Sequence, residues 1–572
     1  MYSVPEQANN VFQNGILSNP LISRNLPNDF QRYGNRIKFE GTNEPSMPIN
    51  WRFAESISAM KALEGTMLLA LLDMKYKVQP NEIIINTDHA QLFIMSALCW
   101  EIDADGTKVN ASNSIHTAEG AELMSKWFPS YDLYRLQSTF HRASCTNIYK
   151  TKDGRYFHLH GSMNPDPSLD SLKLPHDMDQ QSIEEAWKPF INKMSQIESH
   201  DMQRLASDEY KQAGTICWTT EEYKQSEHSK ANANIGLFEI REHLNSTQKP
   251  AWWPESPQTS SKRPLAGLKV VDITRVIAAP AISRGLAEMG ASVMRITAPH
   301  LQDYSTLHCD LNWGKWNCKL DFRKDKDLKK AKALIREADV IVTGYRPGVL
   351  DKYQLGEEGI LALCEDRDRG IIYARENCYG WHGPWSYRSG WQQISDACCG
   401  VSMEFGRAMG NDEPVTPILP NSDYWQVSTL HIVLTLANGK YQYWKKGGSY
   451  SVDVALNYYS QWLVNSCGTY PQDVWDNVWA RSGYPVFRHY HNMTYSIPKF
   501  FEAMSGAGSK VLFQEDFLEV RDCKVIGAKI KTVKPVLRFP NSEVELKFNI
   551  GTRTNGIDKA YWPADLTIEI VA

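Results

Sequence analysis

The stretch LKVVDITRVIAAPAISRGLAEMGASVMRI, residues 268–296, decides the fold. Leu268 to Ile273 is a short apolar run suited to a buried strand. Ala278-Ala279-Pro280 follows as a small-residue turn, and its proline suits the first turn of a helix. That helix is expected to run to Met289 and stop at Gly290, a residue that commonly ends helices. Val293-Met294-Arg295-Ile296 then reads as a second strand. Working outward, Val340-Ile341-Val342 and Ile371-Ile372-Tyr373-Ala374 read as further strands, and a charged helical stretch at 326–338 precedes the former. Strands alternating with helices predict an α/β domain with a mainly parallel sheet. No G-x-G-x-x-G follows the first strand, so a nicotinamide or flavin enzyme is disfavoured. Walker A, H-E-x-x-H and G-x-S-x-G motifs are missing too, which removes the usual support for ATPase, zincin and α/β-hydrolase readings.

Upstream, NSTQKPAWWPESPQTSSKRP at 245–264 has no periodicity and reads as a linker or an extended surface arm. It divides the chain into a first half, 1–244, a linker, 245–263, and a second half, 264–572. In the first half, 55–75 reads as a long apolar helix and Ile83-Ile84-Ile85 as a strand. Residues 148–160 read as two strands joined at Asp153-Gly154, a good hairpin signal. The segments 49–85 and 421–456 share an order of proline, helix and strand. That is either an internal duplication or two unrelated amphipathic helices.

The chain has 572 residues, 42% of them hydrophobic, and a formal charge of −4, so it can bury sizeable cores and offers no global attraction to nucleic acid or anionic membrane. The eleven cysteines are scattered, with no C-x-x-C pair, so a disulfide framework or zinc site is not expected. MYSVPEQANNVF lacks the features of a secretory signal, and no apolar run is long enough for a membrane span. Residues 570–572 match no targeting tripeptide. The expectation is a cytoplasmic protein, with mitochondrion and peroxisome left open.

Several residue groups admit both a bland and a functional reading. His158 with His160, and His489 with His491, would share strand faces, yet each pair lacks a third ligand nearby, so structural histidines are the default. Cys398 and Cys399 would face opposite sides of a strand, with nothing near to lower a thiol pKa. The run RKDKDLKKAK at 323–332 reads as a solvated helix face, although Arg323 and Arg346 flank loops where a phosphate-bearing ligand could bind. Asp423 opens an apolar helix after Pro-Asn-Ser; a helix N-cap is the default there, and a reactive carboxylate is compatible with the same place.

Ordered matches resemble the family III CoA-transferases (CaiB/BaiF family). PLAGLKVVDITRVIAAPAISRGLAEMGASVMRI (264–296) resembles the family's opening, NWGKWNCKLDF (312–322) its Asn-x-x-Lys stretch, and ADVIVTGYRPGVLDKYQLG (338–356) its Pro-Gly signature. GIIYARENCYGWHGPW (370–385) resembles the family's next strand and Gly-rich turn, RSGWQQISDACCG (388–400) its next helix, and 421–456 the helix after its catalytic Asp. The resemblance implies a Rossmann-like parallel-sheet domain with a smaller α+β domain, and an interlocked ring-like homodimer. It places the family's catalytic Asp on Asp423. It assigns CoA binding to Ile277 and Ala278, to Leu320, Asp321 and Arg323, and to Gly344, Tyr345 and Lys352. It implies CoA as acyl-CoA substrate, a carboxylic acid as the other substrate, no metal, no nucleic acid and no membrane. CTNIYKTKDGRYFHLHGSM (145–163) resembles the start of the small domain, and Trp51 occupies the place of Asp423 in the first half. The chain therefore reads as a homodimer subunit or a fused pseudo-dimer with one degenerate half.

By that resemblance Asp423 attacks the acyl-CoA thioester, giving a mixed anhydride and then an aspartyl-CoA thioester, from which an acceptor acid takes the CoA. There are departures. Ala298 stands for a CoA-binding Arg, Ile277 and Asp396 each stand for a Gln, and the glycine-rich flap is not evident. The alternatives are an α-methylacyl-CoA racemase, whose His falls on Trp391, and a CoA-binding protein without turnover.

Overall fold

The computed structural model describes all residues except 1, 27–28, 105, 117, 136–138, 425–446 and 506–508. The apolar helix expected beyond Asp423 lies largely in 425–446 and so outside the described residues. At the centre is a seven-stranded sheet: β1 Phe238–His243, β2 Lys269–Ile273, β3 Ser292–Thr297, β4 Lys315–Lys319, β5 Val340–Thr343, β6 Ile372–Asn377 and β7 Ser449–Ala455. Its order is β4-β3-β2-β5-β6-β7-β1. The pairings from β4 to β7 are parallel, and β1 closes the edge antiparallel to β7. From β2 onward this is the doubly wound dinucleotide-fold order.

The central strands β2 and β5 form because their residues are largely apolar on both faces, as parallel strands covered by helices must be. In β2, Val270 packs into the cluster holding Ile282 and Leu286 of helix α2, Ala278–Glu288. Its neighbour Val271 points the other way, into the cluster holding Leu334 and Ile335 of helix α3, Asp325–Glu337. The C-terminal segment caps that second cluster: Trp562 Nε1 donates to Leu334 O at 3.0 Å and Val571 is buried. Inside the sheet, the buried Lys315 Nζ lies 3.0 Å from Asp272 Oδ2 and donates to Pro280 O at 2.8 Å. This pair ties β2 and β4 to the first turn of α2.

The two halves exchange strands. β1 belongs to the first half of the chain and joins the sheet of the second. Conversely, Leu537–Arg538 pairs with Ile83–Asn86, and Ala528–Val533 pairs with Glu101–Ala104. The stretch 245–264 packs down rather than hanging free, with Trp253 buried and its Nε1 donating to Ala266 O at 3.0 Å. The expected helix in the first half is α1, Phe53–Leu71, buried all round, and its buried Lys61 pairs with Glu64 at 2.9 Å. The expected hairpin is Asn147–Lys150 with Tyr156–Leu159, joined by a third strand, Gly214–Ile216.

Candidate active site

The chain reverses direction across the sheet between β2 and β5, and ligands of such folds bind outside the carboxyl ends of the strands at that point. A cavity of about 530 Å³ lies there. The loop after β2 contributes Arg275, Val276, Ile277 and Ala278. The loops after β3 and β4 contribute Ala298, His300 and Leu320, and the loop after β5 contributes Gly344, Tyr345 and Arg346. Lys352 and Asp423 also face it. Gly344 is required by packing: a Cβ there would stand 2.6 Å from Ala279 Cβ in α2. Asp321 and Arg323 stand outside this lining. They bind each other, Arg323 Nε to Asp321 Oδ1 at 2.8 Å, and His300 Nδ1 lies 3.8 Å from the same carboxylate.

The cavity carries several cations held in place by backbone contacts. Arg275 donates to Gln302 O at 3.1 Å and lies 5.0 Å from the Tyr345 ring centre. Arg346 donates to Lys211 O at 2.6 Å, so a first-half residue fixes it. Arg275 and His300 carried no signal in the sequence, since each is a lone basic residue in a loop. Val276 has φ +71, a left-handed conformation that a β-branched residue rarely adopts. Such strain persists where the surroundings impose it and is frequent at active sites.

Asp423 sits in the first turn of a helix that starts at Asn421 and is described to Tyr424, so it lies inside the helix and not at the cap. Its neighbour anchors that turn: Tyr424 Oη donates to Asp310 Oδ2 at 2.8 Å, and Arg284 of α2 pairs with Asp310 at 3.0 Å. Burial pushes the Asp423 carboxyl up to about 7. Helix α4, Gln392–Cys398, brings a second carboxyl close. Asp396 is fully buried, accepts from Gln392 Nε2, and is pushed well above the usual carboxylate range by burial and then by Asp423. Cys398 and Cys399 are at the end of this helix, not on a strand as expected, because the segment continues the helical pattern of Gln392 onward. Both are buried, and burial raises the Cys399 thiol.

A second cavity, about 320 Å³, opens on the other side of Asp423. Val276, Ile277, Trp391 and Asp423 line both spaces. His160, which directly follows the strand Tyr156–Leu159, stacks on Trp391 with ring centres 5.5 Å apart, and its Nδ1 accepts the Ser162 N–H at 2.9 Å. Burial holds His160 well below its ordinary value. Trp51 lines neither cavity. It is buried, and its Nε1 donates to Val401 O at 3.0 Å. Among the described residues, no three His, Cys, Asp or Glu side chains converge as a metal site, and no helix is long and apolar enough to cross a membrane.

Residues 265–478 match the sequence model of CoA-transferase family III. The acetyl-coenzyme A transferase nodX of Hypoxylon pulicicidum is 48% identical over 572 residues, covering 100% of this chain and 95% of that protein. The chain belongs to CoA-transferase family III. It is thus an enzyme of the CoA-transferase class. An acyl-CoA transferase of Gibberella moniliformis is 29% identical over 526 residues, covering 90% of this chain and 88% of its own. Among solved structures, a CaiB/BaiF family protein from Brucella suis overlaps 35% of this chain and 55% of that one, at 24% identity and a TM-score of 0.30. In this CoA-transferase the family match ends at residue 478 and starts at 265, so His160 and the other first-half residues around Asp423 lie outside it.

Proposed function

We propose that the protein moves CoA from an acyl-CoA to a carboxylic acid, with Asp423 as the nucleophile. The observation that carries this reading is the position of Asp423 at the junction of two cavities, one lined with cations and one apolar. The first suits the phosphates of CoA, which Arg275, Arg346 and Lys352 would meet. Ile277, Ala278, Leu320, Gly344 and Tyr345 would line its path towards Asp423, while Asp321 and Arg323 would stand at its rim.

The Asp423 carboxylate attacks the thioester carbonyl, and the C–S bond breaks to give a mixed anhydride and CoA thiolate. The thiolate attacks the aspartyl carbonyl, releasing the first acid and leaving an aspartyl-CoA thioester. The acceptor carboxylate attacks that carbonyl, and the returning thiolate takes the new acyl group and frees Asp423. Racemisation is less well supported. It needs a base opposite Asp423, and Trp391 cannot serve. His160 shares the cavity but is held neutral by burial and spends Nδ1 on a backbone N–H.

Hydroxylamine trapping after mixing with acyl-CoAs, followed by peptide mass spectrometry, tests the reading. A hydroxamate at Asp423 is expected. CoA exchange without any adduct there overturns the assignment of the nucleophile. The paired first half supports a reading of the chain as a fused pseudo-dimer, active once per chain.

A further inference from the structure

The smaller cavity differs in character from the crevice at the sheet. Ile94, Met95 and Leu98 of the first half, together with Ile418, Met493 and Ile497, contribute to its apolar wall. Among its described lining residues, no lysine, arginine or glutamate occurs, and Asp423 is the one acidic side chain. Several of its polar groups are committed to the protein. Trp391 Nε1 donates to Ser162 Oγ at 3.3 Å, and Gln392 Nε2 donates to Asp396. Gln393 Nε2 contacts Met493 Sδ at 3.0 Å. His160 Nδ1 is taken by Ser162 N.

From this we infer that the cavity receives the carbon chain of the exchanged acid, and that this acid is an apolar monocarboxylate. The inference rests on Asp423 as the attacking group. A volume of about 320 Å³ falls within the range of small-molecule sites and suits a branched or ring-bearing chain. A second carboxylate on the chain would be buried with no cation among the described lining residues to meet it, which is strongly unfavourable. The cations Arg275, Arg346 and Lys352 line the other cavity, where the CoA phosphates would occupy them. Because Ile94, Met95 and Leu98 come from the first half, that half would set acid specificity although it lacks the nucleophile.

Dead-end thioethers test the cavity without requiring turnover. S-hexyl-CoA and S-(5-carboxypentyl)-CoA differ only by a terminal carboxylate, and their affinities for the full chain can be compared by calorimetry. S-hexyl-CoA is expected to bind at least tenfold more tightly. Equal or tighter binding of the carboxylated analogue overturns the inference. In an exchange assay, hexanoate and cyclohexanecarboxylate are expected to exceed adipate and glutarate at least a hundredfold in kcat/KM, and a preference for the diacids overturns it equally. A thioether preference with no exchange to any acid would leave the cavity assignment standing and sink the transferase reading instead. Leu98→Arg should shift the thioether preference at least tenfold towards the carboxylated analogue, and an unchanged ratio in the folded variant overturns the role given to Leu98.

Discussion

At the scale of the residue, the nucleophilic role proposed for Asp423 comes with a cost. Its carboxyl is pushed from the usual carboxylate range to about 7 by burial. An attacking carboxylate must be ionised, so kcat/KM is expected to rise with pH through about 7 and then level off. The same shift acts on stability. Between the unfolded value and about 7 the folded protein holds a proton that the unfolded chain has lost, so this residue makes folding less favourable as pH rises across that window. Asp423→Asn should therefore abolish exchange and stabilise the fold at pH 8 by about 2–4 kcal/mol, with the gain fading towards pH 4. Thermal unfolding of both proteins at the two pH values checks this. Equal unfolding temperatures at pH 8 would contradict it.

At the scale of the element, β2 and the loop after it organise the site. Lys315 on β4 is buried, and burial lowers its ammonium to about 8 even with Asp272 3.0 Å away. Removing one partner of a buried pair leaves an uncompensated charge. Lys315→Met is expected to destabilise the protein by about 3–5 kcal/mol, read as a lower urea midpoint. A loss under about 1 kcal/mol would show that Asp272 is satisfied by Ser283 and Thr274 alone. Strands β2, β3, β5 and β6 were legible because buried parallel strands are continuous apolar runs, as in Val340-Ile341-Val342, whereas the charged and polar residues of β1 and β4 hid those strands. The start of the Asp423 helix was not legible. Pro420-Asn421-Ser422-Asp423 offers several residues able to begin a helix, and tertiary anchoring of Tyr424 on Asp310 accompanies the start at Asn421. The strain at Val276 left no trace in the sequence either, because a β-branched residue gives no signal for a positive φ.

At the scale of the whole molecule, the site draws on segments that lie far apart in the chain. Leu98, His160, Ile277, Trp391, Asp423 and Met493 meet around one cavity. Periodicity and short motifs report on neighbours along the chain, so only the family resemblance singled out Asp423 and the loop at Ile277, and nothing in the sequence pointed to Leu98 or Met493. The strand exchange between halves has a direct test. Residues 264–572 alone would lack β1, exposing β7 as an open edge, and would lack the strands that Ala528–Val533 and Leu537–Arg538 join. This fragment is expected to aggregate when expressed alone and to become soluble when 1–263 is co-expressed. A soluble, monomeric fragment with native-like circular dichroism would contradict the prediction.

The antiparallel edge also bears on how the protein is made. β1 emerges from the ribosome long before its partner, since about 200 residues separate His243 from Ser449. At the usual pace of translation that delay is on the order of 10–40 s. During it the strand has no hydrogen-bonding mate, a state that invites pairing with other nascent chains. Its sequence, Phe238-Glu239-Ile240-Arg241-Glu242-His243, alternates charge with apolar residues, which discourages such pairing. Once β7 arrives, Arg241 reaches Asp453 at 2.8 Å, so a side chain that guards the waiting strand also secures its final place.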